Sequence, residues 1–245
     1  MDETPVQPTK EPAWSAILRS TDFYRDILVT ILGVLIALWI GEKADDARWR
    51  SKAANASDAI DRELAVSAAT FVERALLQPC LTRRLAELDR IVASVRAGQS
   101  LPKVGEFGAT PYRALESASW DDALNSGAIA YMPEGNKSSL ASTYPAIKEF
   151  NQNIGEEQRL WYRLRLIENS PGPLSESMVT ELATSLKLLT YRVRLNGLIA
   201  DQLLLMTKGR RIEPDLTAIF GPDATLASLR HDVQKRKICQ PLPVG

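Results

Sequence analysis

ILVTILGVLIALWIG, residues Ile27 to Gly41, is the longest uncharged run of the chain, and its reading decides the fold. A soluble helix of this length keeps a polar face, and here only Thr30 is polar. Its fifteen residues rise about 22 Å as a helix, short of a hydrocarbon core of about 30 Å. The flanks extend it. Phe23 and Tyr24 before the run and Trp39 near its end suit interfacial anchoring, and Arg25 can carry its guanidinium to the head groups. Residues 23–41 are therefore predicted to form a transmembrane helix, with the lipid bilayer as first partner.

A cleaved leader fits less well. Asp2, Glu3, Glu11, Asp22 and Asp26 outnumber Lys10, Arg19 and Arg25 ahead of the run, and Trp39 or Glu42 stands where a cleavage site wants a small residue. Within the run Gly33, Ala37 and Gly41 recur every fourth residue, with Thr30 beside them. Such a stripe lets two helix backbones approach closely in lipid, which predicts a homodimer or docking to another membrane protein.

Around this run the chain is ordinary. Its 245 residues are 45% hydrophobic, enough for a packed core beyond the apolar helix, and thirty basic residues balance thirty acidic ones. No global charge steers it to nucleic acid, so no nucleic-acid partner is expected. Two cysteines, Cys80 and Cys239, are too few for a zinc site and form no CxxC pair. Alone, they read either as a disulfide or as two thiols of a reducing compartment.

Residues 1–22 are expected to form a flexible polar tail with a short interfacial helical turn around Trp14, Ile17 and Leu18, and Ser20 or Thr21 as helix cap. After Gly41 neither Gly nor Pro occurs before Pro79, so the apolar helix should continue as one long helix with Trp49, Ala53, Ala56, Ile60, Leu64, Phe71 and Ala75 near one face. Pro79 is expected to kink or restart it. A second segment would carry Leu81, Leu85, Leu88, Val92 and Val95 and end at Gly98.

Thr110–Pro111 predicts a short helix, and Ser119 with Asp122 a capping box for the next one. Pro133 opens a long helix with Leu140, Tyr144, Ile147, Asn151, Ile154, Trp161 and Leu164 on one stripe and a kink at Pro145. Ser175 caps another, carrying Leu182, Leu186, Leu189, Val193, Ala200 and Leu203 up to Gly209. Ala224 to Lys235 forms a last amphipathic piece with Leu226, Leu229 and Val233 together. No stretch alternates as a strand does. The fold class is all-α: an N-terminal transmembrane helix continuing into an antiparallel helical bundle over 42–245.

Catalytic patterns are weak. GAIAYMPEGNKSS misses a phosphate loop, because Asn136 parts Gly135 from Lys137 and no strand precedes it. His231 is the single histidine, in a short terminal helix, which removes triad chemistry and Glu-x-x-His metal sites. The adjacent carboxylates Asp45/Asp46, Asp121/Asp122 and Glu156/Glu157 point to different helix faces and read as solvated surfaces or helix N-termini. The clusters Lys208, Arg210, Arg211 and Lys235, Arg236, Lys237 read as cations at helix C-termini, and Trp120, Trp161 and Tyr162 as packing aromatics. No catalytic residue, metal or cofactor is assigned.

FYRDILVTILGVLIALWIGEKADD, SASWDDALNSGAIAYM and RLWYRLRLIE, in a chain with this plan, resemble a group of uncharacterised bacterial proteins with one N-terminal span and a helical C-terminal domain. The resemblance implies a single-pass, all-helical protein of the bacterial inner membrane. Orientation draws on opposing signals. Five basic residues soon after the run (Lys43, Arg48, Arg50, Lys52, Arg62) against three before it favour an internal domain, whereas the short leading tail and the cysteine pair favour an external, periplasmic one. The external placement is expected, with Cys80 and Cys239 joined and the C-terminal tail folded back to Pro79. The expected role is a non-enzymatic interaction or scaffold protein, with a ligand-sensing bundle as the alternative.

Overall fold

The computed structural model describes residues 21–169 and 172–243. The leading tail, its turn around Trp14, Ile17 and Leu18, and Ser20 as a cap lie outside the described residues. Among the described residues there are six α-helices: α1 (Thr21–Arg96), α2 (Ala118–Asn125), α3 (Glu134–Leu164), α4 (Glu176–Gly209), α5 (Leu216–Phe220) and α6 (Leu226–Lys235). No strand occurs among them, only two isolated bridges, Leu101 with Gly172 and Val104 with Glu168. The chain divides into two compact units between Lys52 and Ala53, the first buried apolar residue of α1.

In the first unit α1 carries the apolar run, and it is long and apolar enough to cross a membrane. Every large apolar side chain from Ile27 to Ile40 is 41–65% exposed. Thr30 donates to the Asp26 carbonyl at 2.8 Å, which satisfies its hydroxyl within the helix.

In the second unit α1 becomes amphipathic. Ala53, Ile60, Leu64, Phe71, Leu77, Leu81, Leu85, Leu88, Val92 and Val95 are buried along it. Helical structure runs unbroken through Pro79, so no second segment restarts there. Pro79 lies on the exposed side of α1, where the carbonyl it leaves unpaired can face water, while Leu77, Cys80 and Leu81 beside it are buried. Packing on both sides outweighs the roughly 3 kcal/mol a helical proline costs. Pro145 is exposed inside α3 in the same way, and α3 also stays whole. Gly98, at φ 88°, ends α1: its N–H bonds the Val95 carbonyl and that of Gln99 the Ser94 carbonyl.

α4 runs antiparallel to both other long helices: Arg210 just past its end meets Asp61 while Val193 meets Arg74 of α1, and Met206 meets Thr143 while Asn196 meets Glu157 of α3. α1 and α3 lie parallel, since Glu63 meets Tyr144 and Arg74 meets Glu157. The connection makes this possible. Residues 101–117 form no helix, contrary to the expectation for Thr110–Pro111, but an extended strap that runs back along the bundle. Phe107 N–H bonds Glu168, Thr110 bonds Glu157, Arg113 bonds Glu73, and Asn151 takes and gives a bond with the Leu115 backbone. Glu168 and Asn151 supply the Phe107 and Leu115 backbone with what a helix would have supplied internally, and the Thr110 and Arg113 side chains fasten the strap to Glu157 and Glu73.

α2 begins after Ser117 rather than Ser119, because the Ser119 N–H is taken by Glu63 at 2.7 Å. Ser175 caps α4 by accepting from Met178, and Thr225 with Ser228 forms a capping box on α6. Leu229 and Val233 are buried, but Leu226 is 48% exposed.

Candidate functional site

His231 is exposed on α6, and among the described residues no group of three or more His, Cys, Asp or Glu side chains is placed to hold a metal ion. GAIAYMPEGNKSS forms a short 3-10 turn (Ala128–Tyr131) and the start of α3, a geometry that cradles no phosphate. The densest chemistry lies inside the bundle, at its tail, and on two uncovered helix faces.

Inside, Glu157 of α3 is fully buried and accepts four hydrogen bonds. Arg74 of α1 (2.8 Å), Thr110 of the strap (3.0 Å) and Trp161 (3.3 Å) donate to Oε1, and Asn196 of α4 (2.6 Å) donates to Oε2. Arg74 also reaches the Val193 carbonyl at 2.9 Å, which Gln78 shares at 3.2 Å. One carboxylate thus ties together all three long helices and the strap. The solvated reading of Glu156/Glu157 holds for Glu156, which pairs with Arg159, and fails for Glu157. The knot is sealed from water, with Glu157 0% and Arg74 3% exposed.

A second buried carboxylate, Glu73, takes Arg113 at 2.7 Å and Arg236 at 2.6 Å. Glu63 accepts the Tyr144 hydroxyl at 2.5 Å, and Trp120 stacks on the Tyr144 ring with centroids 4.9 Å apart. Burial first, and then the bond to Glu63 and its charge, push the Tyr144 phenol well above its ordinary range and hold it protonated.

The tail closes the other end. Cys80 of α1 and Cys239 are disulfide-bonded, with Cα atoms 4.7 Å apart. Arg84, buried beside them, donates to the Lys237 carbonyl at 2.9 Å and the Gln240 carbonyl at 2.6 Å, and Arg83 donates to that of Cys239. Desolvation lowers the Arg84 pKa from its ordinary value, partly offset by Glu87. The two basic clusters are largely paired internally: Arg210 with Asp61, Arg236 with Glu73, Lys237 with Glu106.

Thr30, Gly33, Ala37 and Gly41 are all exposed on α1, and a side chain built on either glycine would meet nothing within 4 Å. The fold brings no other segment onto this face among the described residues. A second uncovered face was not foreseen. On α4, Leu188 (50% exposed), Tyr191 (60%), Leu198 (60%) and Leu205 (71%) form an outward stripe, with half-buried Leu195 between them. Their spacing alternates three, four and three, then seven with Gln202 between, which is a heptad seam opposite the core stripe of Leu189, Val193, Ala200 and Leu203. Counting every apolar residue of α4, rather than the best single stripe, is the signal that finds it. Tyr162, expected to pack, is 74% exposed, whereas Trp161 is buried.

Comparison with protein-family models, characterised proteins and solved structures gives no match, so the site is argued from its own geometry.

Proposed function

We propose that this is a single-pass membrane protein whose helical domain is a non-enzymatic docking module, held in the bacterial inner membrane by α1 and joined to protein partners through uncovered helix faces. The observation that carries it is the pair of apolar faces left exposed among the described residues, the run Ile27–Ile40 and the α4 seam Leu188–Leu205. The first suits lipid with a close-packed second helix, and the second suits a protein helix. A rigid interior supports the reading. The Glu157 knot and the disulfide tie the helices of the bundle together, as a scaffold requires. A domain on the periplasmic side accords with the Cys80–Cys239 bond, which persists in an oxidising compartment.

The test is crosslinking and copurification from native membranes with two sets of variants. Gly33→Leu with Ala37→Leu should abolish crosslinks through the apolar helix, and Leu188→Glu with Leu198→Glu should release a partner held by the domain. Unchanged crosslinks and unchanged copurifying proteins in both sets would refute the docking role. Alkaline extraction checks the anchor: the chain should stay in the membrane pellet.

A further inference from the structure

The residue balance of the chain hides a local imbalance. Where the end of α3 meets the strap and the C-terminal tail, an open groove of about 910 Å³ is lined by Arg113, Arg159, Arg163, Arg165, Arg236 and Lys237, and no Asp or Glu lines it. Three carboxylates answer these six cations from outside the lining: Glu73 is shared by Arg113 and Arg236, Glu156 pairs with Arg159, and Glu106 with Lys237. Arg163 and Arg165 are exposed and meet no carboxylate among the described residues. Arg236 gives one nitrogen to Glu73, while its Nη1 is buried without a hydrogen-bond partner among the described residues.

The groove is also built rather than loose. Its tail wall, Arg236 to Ile238, is pinned by the Cys80–Cys239 bond and by Arg84 on the Lys237 carbonyl. Its strap wall packs tightly on that tail, since a Cβ at Gly108 would lie 2.7 Å from the Ile238 nitrogen. An excess of cations on a preorganised wall, with guanidinium forks free to bond, calls for a group with more than one negative charge and several acceptor oxygens. Phosphate has both, and a lone carboxylate has only the acceptors.

We infer that this arginine groove binds a phosphate-bearing ligand, with Arg163 and Arg165 as its principal contacts and Arg236 behind them. The inference stands apart from the docking role, because it uses neither uncovered apolar face. The phosphate could belong to a soluble molecule or to a lipid head group.

Titration calorimetry of the full chain in neutral-detergent micelles with inorganic pyrophosphate tests the first source. Native mass spectrometry of the same micelles with added phosphatidic acid, a phosphomonoester able to carry two negative charges, tests the second. Saturable pyrophosphate binding is expected, weakening several-fold as salt rises from roughly 50 to roughly 300 mM. Arg163→Ala with Arg165→Ala should lower affinity at least about tenfold, and the double lysine variant less, because charge is kept and the fork is lost. Lys187→Ala with Arg194→Ala on α4 removes the same charge elsewhere and should leave binding unchanged. Lipid adducts sensitive to Arg163 and Arg165, without pyrophosphate binding, would assign the groove to a head group. Binding of neither probe, or equal loss in the α4 control, would overturn the inference. Both variants change exposed side chains, and matched circular dichroism and thermal midpoints confirm that they fold.

Discussion

Replacing Glu157 by Gln tests whether the buried knot sets the register of the bundle. The substitution keeps shape and removes charge. Four donors converge on the two oxygens of Glu157, from Arg74, Thr110, Trp161 and Asn196. Gln offers one acceptor oxygen and one NH2, so whichever way the amide turns, a donor faces a donor. Arg74, 3% exposed, also loses its counter-ion. Breaking a buried pair by one partner costs about 3–5 kcal/mol, a large share of the roughly 5–15 kcal/mol by which a domain is stable. For a domain of this size that lowers the thermal midpoint by about 6–20 °C. Circular dichroism of the full chain in micelles during heating measures it, with urea unfolding as a second probe. A double-mutant cycle with Arg74→Met and Glu157→Leu should show coupling of about 2 kcal/mol or more, because the second change removes a charge the first has stranded. A midpoint drop below about 2 °C, or strictly additive singles, would refute the reasoning.

Three further outcomes follow from other parts of the chain. Breaking Cys80–Cys239, by reductant or as Cys80→Ser with Cys239→Ser, should destabilise the domain by up to about 5 kcal/mol on the chain-entropy model for a separation of 159 residues; urea titrations with and without reductant read it. Alkylation of unreduced native membranes should label neither cysteine, and two labelled thiols would sink both the bond and the periplasmic placement. Because the folded-state pKa of Tyr144 is raised, its contribution is whole below the unfolded tyrosine value of about 10 and is lost as pH climbs above it. Wild type should therefore lose stability above about pH 10 more steeply than Tyr144→Phe, as read by urea midpoints across that range. Gly108→Ala should cost about 1–2 kcal/mol from its φ of 72° alone, and more from contact with the Ile238 backbone, freeing the tail to proteolysis.

What was legible in the sequence is what depends on period. Core positions Leu140, Tyr144 and Ile147, or Leu182, Leu186, Leu189 and Val193, repeat at helical spacing and are buried as a count of threes and fours requires. The caps at Ser175 and Gly98 are local and were equally visible. Pro79 does not end the helix, because a proline reports only the local cost, whereas the helix is held by contacts to residues more than a hundred positions away, such as the Val193 carbonyl under Arg74 and Gln78. The strap misled for the related reason that its backbone partners, Glu168, Asn151 and Pro243, lie on other segments. Glu157 is invisible by type, since a buried carboxylate looks like a solvated one until Arg74 is brought against it.

α1 shows how one helix can carry three instructions in series. From Ile27 to Ile40 it is apolar all round, from Gly41 to Lys52 almost wholly exposed and charge-bearing, and from Ala53 to Val95 apolar on one face. Backbone hydrogen bonding is the same throughout, so only the side chains decide which solvent each part accepts. α4 repeats the lesson around its circumference rather than along its length. Its Leu189–Leu203 stripe is committed to the core, and the seam on the opposite side exposes the apolar area of Leu188, Tyr191, Leu198 and Leu205 to water, with only Leu195 packed partly against the core. Scattered exposed leucines are ordinary on any protein surface, but a heptad series on a single helix is not scatter. Its burial by another helix would remove that area from water without disturbing the Glu157 knot, which lies on the inner side of the same helix through Asn196. On the proposed docking role, the seam is where substitution should change association and leave folding intact.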